Sequence, residues 1–428
     1  MKSLIAIPSF FQETKPSLDQ QINESFHGAT SWFTDAILYE IPFTSSIAIP
    51  WVLIVLVGGA LYFSFYFKGI NFKGFFTAIN VVRGKYDHLE KSENEKIVTQ
   101  GNGEVSHFQA LTAALSATVG LGNIAGVAIA LSIGGAGATF WMIVVGLLGM
   151  ASKFVECTLG VKYREIASDG TVFGGPMYYL KKGLGELGFG KIGKVLSVLF
   201  AIMCVGGSFG GGNMFQVNQA FKLFEYVTGG EQSFIYGKGW LFGLIMAIFA
   251  GIVIIGGIKR IAQVAERVVP TMALIYVIGA LAVIFGNLEN IGPSFTSIFA
   301  DAFSGSAAIG GFMGASFAYA MDRGINRGLF SNEAGQGSAP IAHASAKGDE
   351  PTSEGLVSLL EPFIDTIVIC SMTALVIVTT GVYDPSGEFA NLVASKQGAA
   401  LTAAAYGTVI SWFPIILSFS IVLFASCD

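Results

Sequence analysis

The sequence predicts an all-α, polytopic membrane protein, and three observations carry that reading. Of its 428 residues 53% are hydrophobic and only 12% are Asp, Glu, Lys or Arg, about half the charged share of a soluble domain. Apolar stretches of bilayer-spanning length, about 20 residues, recur along the chain. Lys and Arg, finally, alternate between successive loops as the positive-inside rule requires. A soluble fold of this composition would lack the polar surface to cover itself. The 36 Phe against 12 Pro and 4 Cys exclude disordered, collagen-like and disulfide-scaffold chains. A net charge of -5 without a basic block implies no nucleic-acid partner.

Taken in order, the expected spans are 47–67, 108–133, 139–160, 195–221, 240–258, 268–285, 307–330, 356–378 and 406–425. Clusters of Gly interrupt two of them, 108–133 and 307–330. With the N-terminus outside, most basic residues fall in inner loops or at inner membrane edges. Only Lys2, Lys15, Lys222, Lys238 and Lys396 of the 24 Lys and Arg residues lie elsewhere. Residues 1–46 read as an external arm with an amphipathic stretch, and residues 1–11 make a poor signal peptide because no small-x-small cleavage site follows. Residues 68–105 read as a charged inner loop.

The most unusual local feature is the run Ser116-Ala117-Thr118-Val119-Gly120-Leu121-Gly122-Asn123-Ile124-Ala125-Gly126, inside a stretch with no Asp, Glu, Lys or Arg from Val105 to Ser152. Three glycines so close together weaken a helix by about 1 kcal/mol each relative to Ala. An unwound point at membrane depth offers carbonyls to a bare cation and a half-helix N-terminus to a carboxylate. The same run also contains Gly122-x-x-x-Gly126, a motif for close helix packing, and the residues alone leave both readings open. Four carboxamides, Asn213, Gln216, Asn218 and Gln219, are costly at membrane depth unless they face partners or water. Of these, Gln216 is the candidate for the ammonium or carboxylate of a substrate.

The second interrupted span ends in a dense polar run from Met321 to Gly337, in which Arg323 and Arg327 have Asp322 and Glu333 within neutralising distance. That run reads as a structured gate. Glu354, Glu361 and Asp365, the last two one turn apart, read as acids complementing the macrodipole at the start of a helix, and Lys153 and Glu156 as an i, i+3 pair at an inner helix end. The four Cys read as buried small hydrophobes, and the four His share no metal-ligand spacing. A literal G-x-G-x-x-G at Gly183, Gly185 and Gly188 follows no expected strand, so it is no nucleotide fingerprint. There is no nucleophile–base motif and no phosphate loop, which argues against an enzyme and against an ATP-driven pump.

Taken together, the segments Gly103-Glu104-Val105-Ser106-His107-Phe108-Gln109-Ala110-Leu111, Ser116 to Gly126, Gly174-Gly175-Pro176-Met177-Tyr178-Tyr179, Gly212-Asn213-Met214-Phe215-Gln216 and Ser331 to Gly337 resemble the alanine or glycine:cation symporter family. The resemblance implies the inverted-repeat fold of the sodium-coupled neurotransmitter-type transporters with one extra N-terminal helix. It divides the chain into the arm 1–46, the extra helix 47–67, the loop 68–105, a first five-helix repeat 106–286 and an incomplete second repeat 287–428. It also implies sodium-coupled import of alanine or glycine across the inner cell membrane, with no organic cofactor and no obligate protein partner. By the same likeness, Gly120, Leu121, Gly122, Gln216, Ser316 and Asn326 would form the substrate pocket, and Ser116, Thr118, Val119 and Asn123 would face the cation. The family continues past the point where this chain reads Ser426-Cys427-Asp428, so the second repeat is expected to lack its last helices. Two alternatives stay open: a proton-coupled permease using Glu361 or Asp365, and a truncated membrane protein without transport activity.

Overall fold

The computed structural model describes residues 18–42, 48–86, 103–303 and 317–427. Two compact units divide the chain at Val55 and Leu56. In the first, helix α1 (Leu18–Ile37) precedes an antiparallel pair, β1 (Glu40–Pro42) and β2 (Ala48–Pro50). The Trp51 indole N–H closes this unit on the Ala36 carbonyl at 2.9 Å. The arm expected at 1–46 thus contains a helix, with Trp32 exposed on it.

Helix α2 (Trp51–Tyr66) leads into the second unit, whose described residues are helical apart from one short hairpin and an isolated bridge between Val105 and Ala346. The stretch expected to be a loop begins with two short helices, α3 (Ile70–Lys73) and α4 (Phe75–Val82). Asn71, Ala78 and Val81 are buried there. Their apolar neighbours pull this charged segment against the core, and Asn71 donates to the Leu147 carbonyl at 2.5 Å.

Helix α5 (His107–Thr118) starts at a capping box in which Ser106 and Gln109 satisfy each other's free N–H groups. It ends where Val119 leaves helical geometry (φ -81°, ψ 90°). The chain resumes as a π-helical turn, Gly122–Gly126, and α6 (Val127–Gly134), bent by 49° from α5. After α7 (Ala138–Lys162), the hairpin β3 (Glu165–Ile166) and β4 (Val172–Phe173) precedes α8 (Pro176–Glu186). The glycine pattern at Gly183 and Gly185 lies within α8, so no phosphate loop forms.

Helix α9 (Gly190–Gly207) passes through a second π-helical turn, Ser208–Met214, into α10 (Phe215–Val227), and α11 (Gly239–Ile254), α12 (Gly257–Gly286) and α13 (Leu288–Phe303) follow. Next come α14 (Phe317–Asn332), α15 (Ala339–His343), α16 (Pro351–Ser358) and α17 (Leu360–Pro362). A third π-helical turn, Phe363–Cys370, continues into α18 (Ser371–Thr380), and α19 (Ala390–Ala394), α20 (Gly398–Gly407) and α21 (Phe413–Cys427) complete the unit.

By length and composition, Ala138–Lys162, Gly190–Gly207, Gly257–Gly286 and the composite Pro351–Thr380 can cross a bilayer, and the bent pair α5–α6 makes a fifth span. Three shorter apolar helices, Trp51–Tyr66, Gly239–Ile254 and Phe413–Leu423, coincide with further expected spans. The remaining expected span, 307–330, is described only from residue 317. Within its described part, Gly324 and Gly328 do not interrupt the helix. A Cβ on Gly324 would stand 2.4 Å from the Ala138 carbonyl, and one on Gly328 2.2 Å from Val145. These glycines bring α14 against α7. Gly310, Gly311 and Gly314 lie outside the described residues; among the described ones the chain is interrupted at residues 333–338, where Glu333 (φ 53°), Gly335 (φ 87°) and Gly337 (φ 83°) adopt left-handed backbone.

The largest apolar cluster surrounds the first break. It includes Leu121, Ile124, Ala125 and Val127 together with Ile377, Leu401 and Tyr406. Overpacking the α14–α7 contact is expected to cost about 1–3 kcal/mol, because the atom in the way is main chain. Gly324→Ala should therefore lower the midpoint of thermal unfolding in detergent. Gly185→Ala, with nothing within 4 Å, should leave it unchanged or raise it.

Candidate functional site

The chain unwinds between Val119 and Leu121, and the freed backbone groups find side chains from distant segments. The Gly120 N–H donates to Asn123 Oδ1 at 2.8 Å, and the Leu121 N–H donates to Gln216 Oε1 at 2.8 Å. Both N–H groups have thereby left the α-helical ladder, whose acceptors would be the carbonyls of Ser116 and Ala117. On the other side of the break, the Arg327 guanidinium donates from Nε to the Gly122 carbonyl at 2.9 Å, and its terminal nitrogen reaches the same oxygen. Thr402 donates to the Ile124 carbonyl at 3.1 Å. Gly398 lets α20 approach so closely that a Cβ there would stand 2.0 Å from the Ala125 carbonyl oxygen.

The pair Gly122 and Gly126 thus forms a slot for an arginine. A Cβ on Gly126 would lie 1.6 Å from Arg327 Cζ, and the guanidinium stacks 4.6 Å from the Phe330 ring centroid and 5.7 Å from that of Phe215. Each contact adds a cation–π attraction that strengthens as water is excluded. In this way a stretch without charge of its own receives a cation from a residue 205 positions away.

Asn123 is fully buried and is the centre of the polar cluster. Its Nδ2 lies 2.9 Å from Ser331 Oγ, 3.1 Å from the Asp365 carbonyl and 3.3 Å from Cys370 Sγ, and it also contacts Asp365 Oδ1. An amide has two N–H donors, so these four acceptors compete for it. Ser331 Oγ donates to Asp365 Oδ2 at 2.8 Å, as does Thr366 Oγ1 at 2.7 Å. Asn332 Nδ2 in turn donates to Thr366 Oγ1 at 3.0 Å. The first break, the C-terminal end of α14 and the third π-helical turn therefore meet around the Asp365 carboxylate. The π geometry there and at Gly122–Gly126 places an extra residue in the turn, a device common at functional sites.

Of the residues selected from sequence, Gly120, Leu121, Gly122, Asn123 and Gln216 come together at the break. Ser116 Oγ donates within α5 to the Ala113 carbonyl at 2.7 Å, and Thr118 Oγ1 faces the Ala114 carbonyl at 3.4 Å, so these hydroxyls serve their own helix. Asn326 donates to Asp322 at 2.7 Å, one turn away. Ser316 lies outside the described residues. Among the carboxamides, Gln216 and Gln219 are buried while Asn213 and Asn218 are exposed.

Two expectations are corrected. Glu361 and Asp365 do not open the composite segment Pro351–Thr380: Glu354 lies in its first turn, as expected, and the other two acids lie further along it and fully buried. Lys153 does not pair with Glu156. Its Nζ lies 3.0 Å from Glu361 Oε2, with both side chains wholly buried. His343, at the end of α15, faces Glu354 with Nδ1 and Glu361 with Nε2. Cys157, His343 and Glu361 do bring potential metal ligands within 4.8 Å of one another. Both imidazole nitrogens already face carboxylates and an ammonium neutralises Glu361, so this donor set is filled by its own charges.

The sequence matches the model of the sodium:alanine symporter family over residues 35–428. The chain belongs to that family. Similar proteins include the sodium/alanine symporter AgcS of Methanococcus maripaludis, 39% identical over 376 residues, covering 88% of this chain and 77% of that protein. The probable sodium/glutamine symporter GlnT of Bacillus subtilis is 35% identical over 88% of this chain and 71% of its own length. The putative sodium/proton-dependent alanine carrier protein YrbD of the same organism is 37% identical over 72% and 61%. Membership makes the chain an integral membrane, cation-coupled amino-acid transporter rather than an enzyme.

Removing one partner from a buried ion pair leaves an uncompensated charge and costs about 3–5 kcal/mol. Lys153→Met should therefore lower thermal stability in detergent by that order. The double variant Lys153→Met/Glu361→Gln should recover most of the loss, and equal losses in the single and double variants would show the pair to be uncoupled.

Proposed function

We propose that the protein imports a small neutral amino acid, alanine or glycine, together with sodium by alternating access across the inner cell membrane, with its N-terminus outside. The observation that carries this reading is the unwound segment Val119–Leu121 beside the buried oxygens of Asn123, Ser331 and Asp365. A sodium ion needs oxygen ligands and a compensating negative charge, and unwound carbonyls at the bilayer midplane supply the first. Asp365 supplies the second, with the side chains of Asn123 and Ser331 and the carbonyls of Ser116, Thr118 and Val119 as further ligands. The substrate carboxylate would take the Leu121 and Gly122 amides at the start of the second half-helix, where the dipole favours an anion. Gln216, which occupies the Leu121 N–H, would turn to the substrate as the carboxylate arrives.

Room for a side chain is limited by Phe330, Phe215 and the guanidinium between them, which favours alanine and glycine over larger substrates. We assign the helices to two repeats of opposite orientation, residues 106–286 and 287–428, behind an extra first helix, α2. In this arrangement α5–α6 and α14–α15 are the paired broken helices. The lipid bilayer is the protein's surrounding partner.

Uptake of labelled alanine into proteoliposomes is expected to require an inward sodium gradient and to vanish when choline replaces sodium. Asp365→Asn should raise the sodium concentration for half-maximal uptake tenfold or more, equivalent to at least about 1.4 kcal/mol. Full uptake on a proton gradient without sodium would replace this reading with a proton-coupled permease. No uptake under either gradient would favour a transport-inactive membrane protein.

A further inference from the structure

Away from the break, a row of buried ionisable groups joins five elements. His107, the first residue of α5, faces one oxygen of Glu354 in α16 with Nδ1. The other oxygen of Glu354 faces His343 Nδ1 at the end of α15, and His343 Nε2 faces Glu361 of α17. Glu361 then meets Lys153 of α7 at 3.0 Å. The side chains of Lys153, Glu361 and His343 are 0% exposed and that of Glu354 2%, whereas His107 at the end of the row is 12% exposed. Glu156 and Cys157 of α7, and Glu333 after α14, are the other titratable groups close enough to act on Lys153.

A neutral imidazole carries one N–H, and only the protonated ring donates from both nitrogens. His343 turns both nitrogens to carboxylate oxygens, so the group holds one proton more than a neutral histidine between two carboxylates would. With that proton, His343 and Lys153 carry two positive charges against the two of Glu354 and Glu361. Without it, the buried group carries an uncompensated negative charge, which a low-dielectric interior penalises strongly.

We propose that Glu354, His343 and Glu361 form a proton-binding site whose occupation holds shut the face of the carrier on which α5 begins. The ligand is a proton, and the site is separate from the break. Its position gives it this role. His107 belongs to the half-helix leading into the first break and His343 to the half-helix leaving the second, whereas Lys153, Glu354 and Glu361 belong to the elements those halves rest on. The proton leaves through the row. The Nδ1–H bond of His343 breaks as an O–H bond forms on Glu354 Oε1, and that O–H bond breaks as water reaching Glu354 at the His107 end of the row takes the proton as hydronium, while His107 keeps the Nδ1–H that it turns to Glu354 Oε2. His343 keeps Nε2–H toward Glu361, so the return follows the same atoms in reverse. Once the proton is lost, the carboxylates gain by reaching water, and they do so when α5 and α15 separate from α16 and α17.

This inference rests on the alternating-access reading, and its test records opening without transport. Hydrogen exchange followed by mass spectrometry on the full chain in lipid nanodiscs is measured across about pH 5.5 to 9, where histidines in mixed surroundings titrate. After correction for the chemical rise of exchange with pH, α5 and α15 should lose about tenfold in protection toward the alkaline end, while α9 stays constant. His343→Gln should abolish that response. His107→Gln should retain it, because the three-group site survives. Flat protection in the wild-type chain, which needs no variant to fold, overturns the proposal, as does a wild-type response in His343→Gln. Sodium-dependent uptake with flat protection would count against the proton site alone. An intact pH response without uptake under any gradient would count against the transport reading alone.

Discussion

A helix that unwinds inside a membrane must find partners for the backbone groups it frees, because the hydrocarbon offers none. The break at Val119–Leu121 is the point on which the rest of this structure depends. Asn123, Gln216, Arg327 and Thr402 each satisfy one of its amides or carbonyls or a neighbouring one. They come from the π-helical turn itself and from α10, α14 and α20. The elements that we propose to surround an amino acid and a cation are thus also those that keep the break from being an unpaid defect. A ligand that takes over one of these bonds releases the side chain that held it, which links binding to movement of the elements around the site.

Much of this was legible in the sequence. The mostly helical fold with several apolar helices, the unwinding of the glycine-rich run and the burial of Gln216 follow from composition, helix physics and the cost of carboxamides in lipid. The family resemblance agrees with the match over residues 35–428. The first break was legible because it is local, three glycines within one charge-free stretch. For the second, Gly310, Gly311 and Gly314 lie outside the described residues, while Gly324 and Gly328 carry the same signal but serve packing against α7. Glycine alone does not separate a helix that unwinds from one that is closely approached.

What escaped the sequence is mostly long-range. Arg327 reaches Gly122 across 205 positions and Asp365 reaches Asn123 across 242. Nothing near Gly126 announces that its missing side chain makes room for a guanidinium. For Asp365 and Glu361 a signal did exist: Pro351 is a strong helix start, and counting from it places both acids several turns inside. The pairing of Lys153 with Glu361 rather than Glu156 reflects the same oversight, because a buried lysine takes whichever carboxylate shares its burial. The three π-helical turns cannot be read from periodicity, since one extra residue shifts the phase of everything after it, as the outward turn of Asn213 shows.

The account holds that cation and amino acid meet at one break and stabilise the same closed arrangement, so each must raise the affinity for the other by the same factor. The most direct test is equilibrium binding of alanine to the purified full chain at low and at saturating sodium, paired with sodium binding at zero and at saturating alanine. The two factors are predicted to agree and to exceed about fivefold, the lower range of such couplings. Alanine affinity that is unchanged by sodium would contradict a shared site at Val119–Leu121.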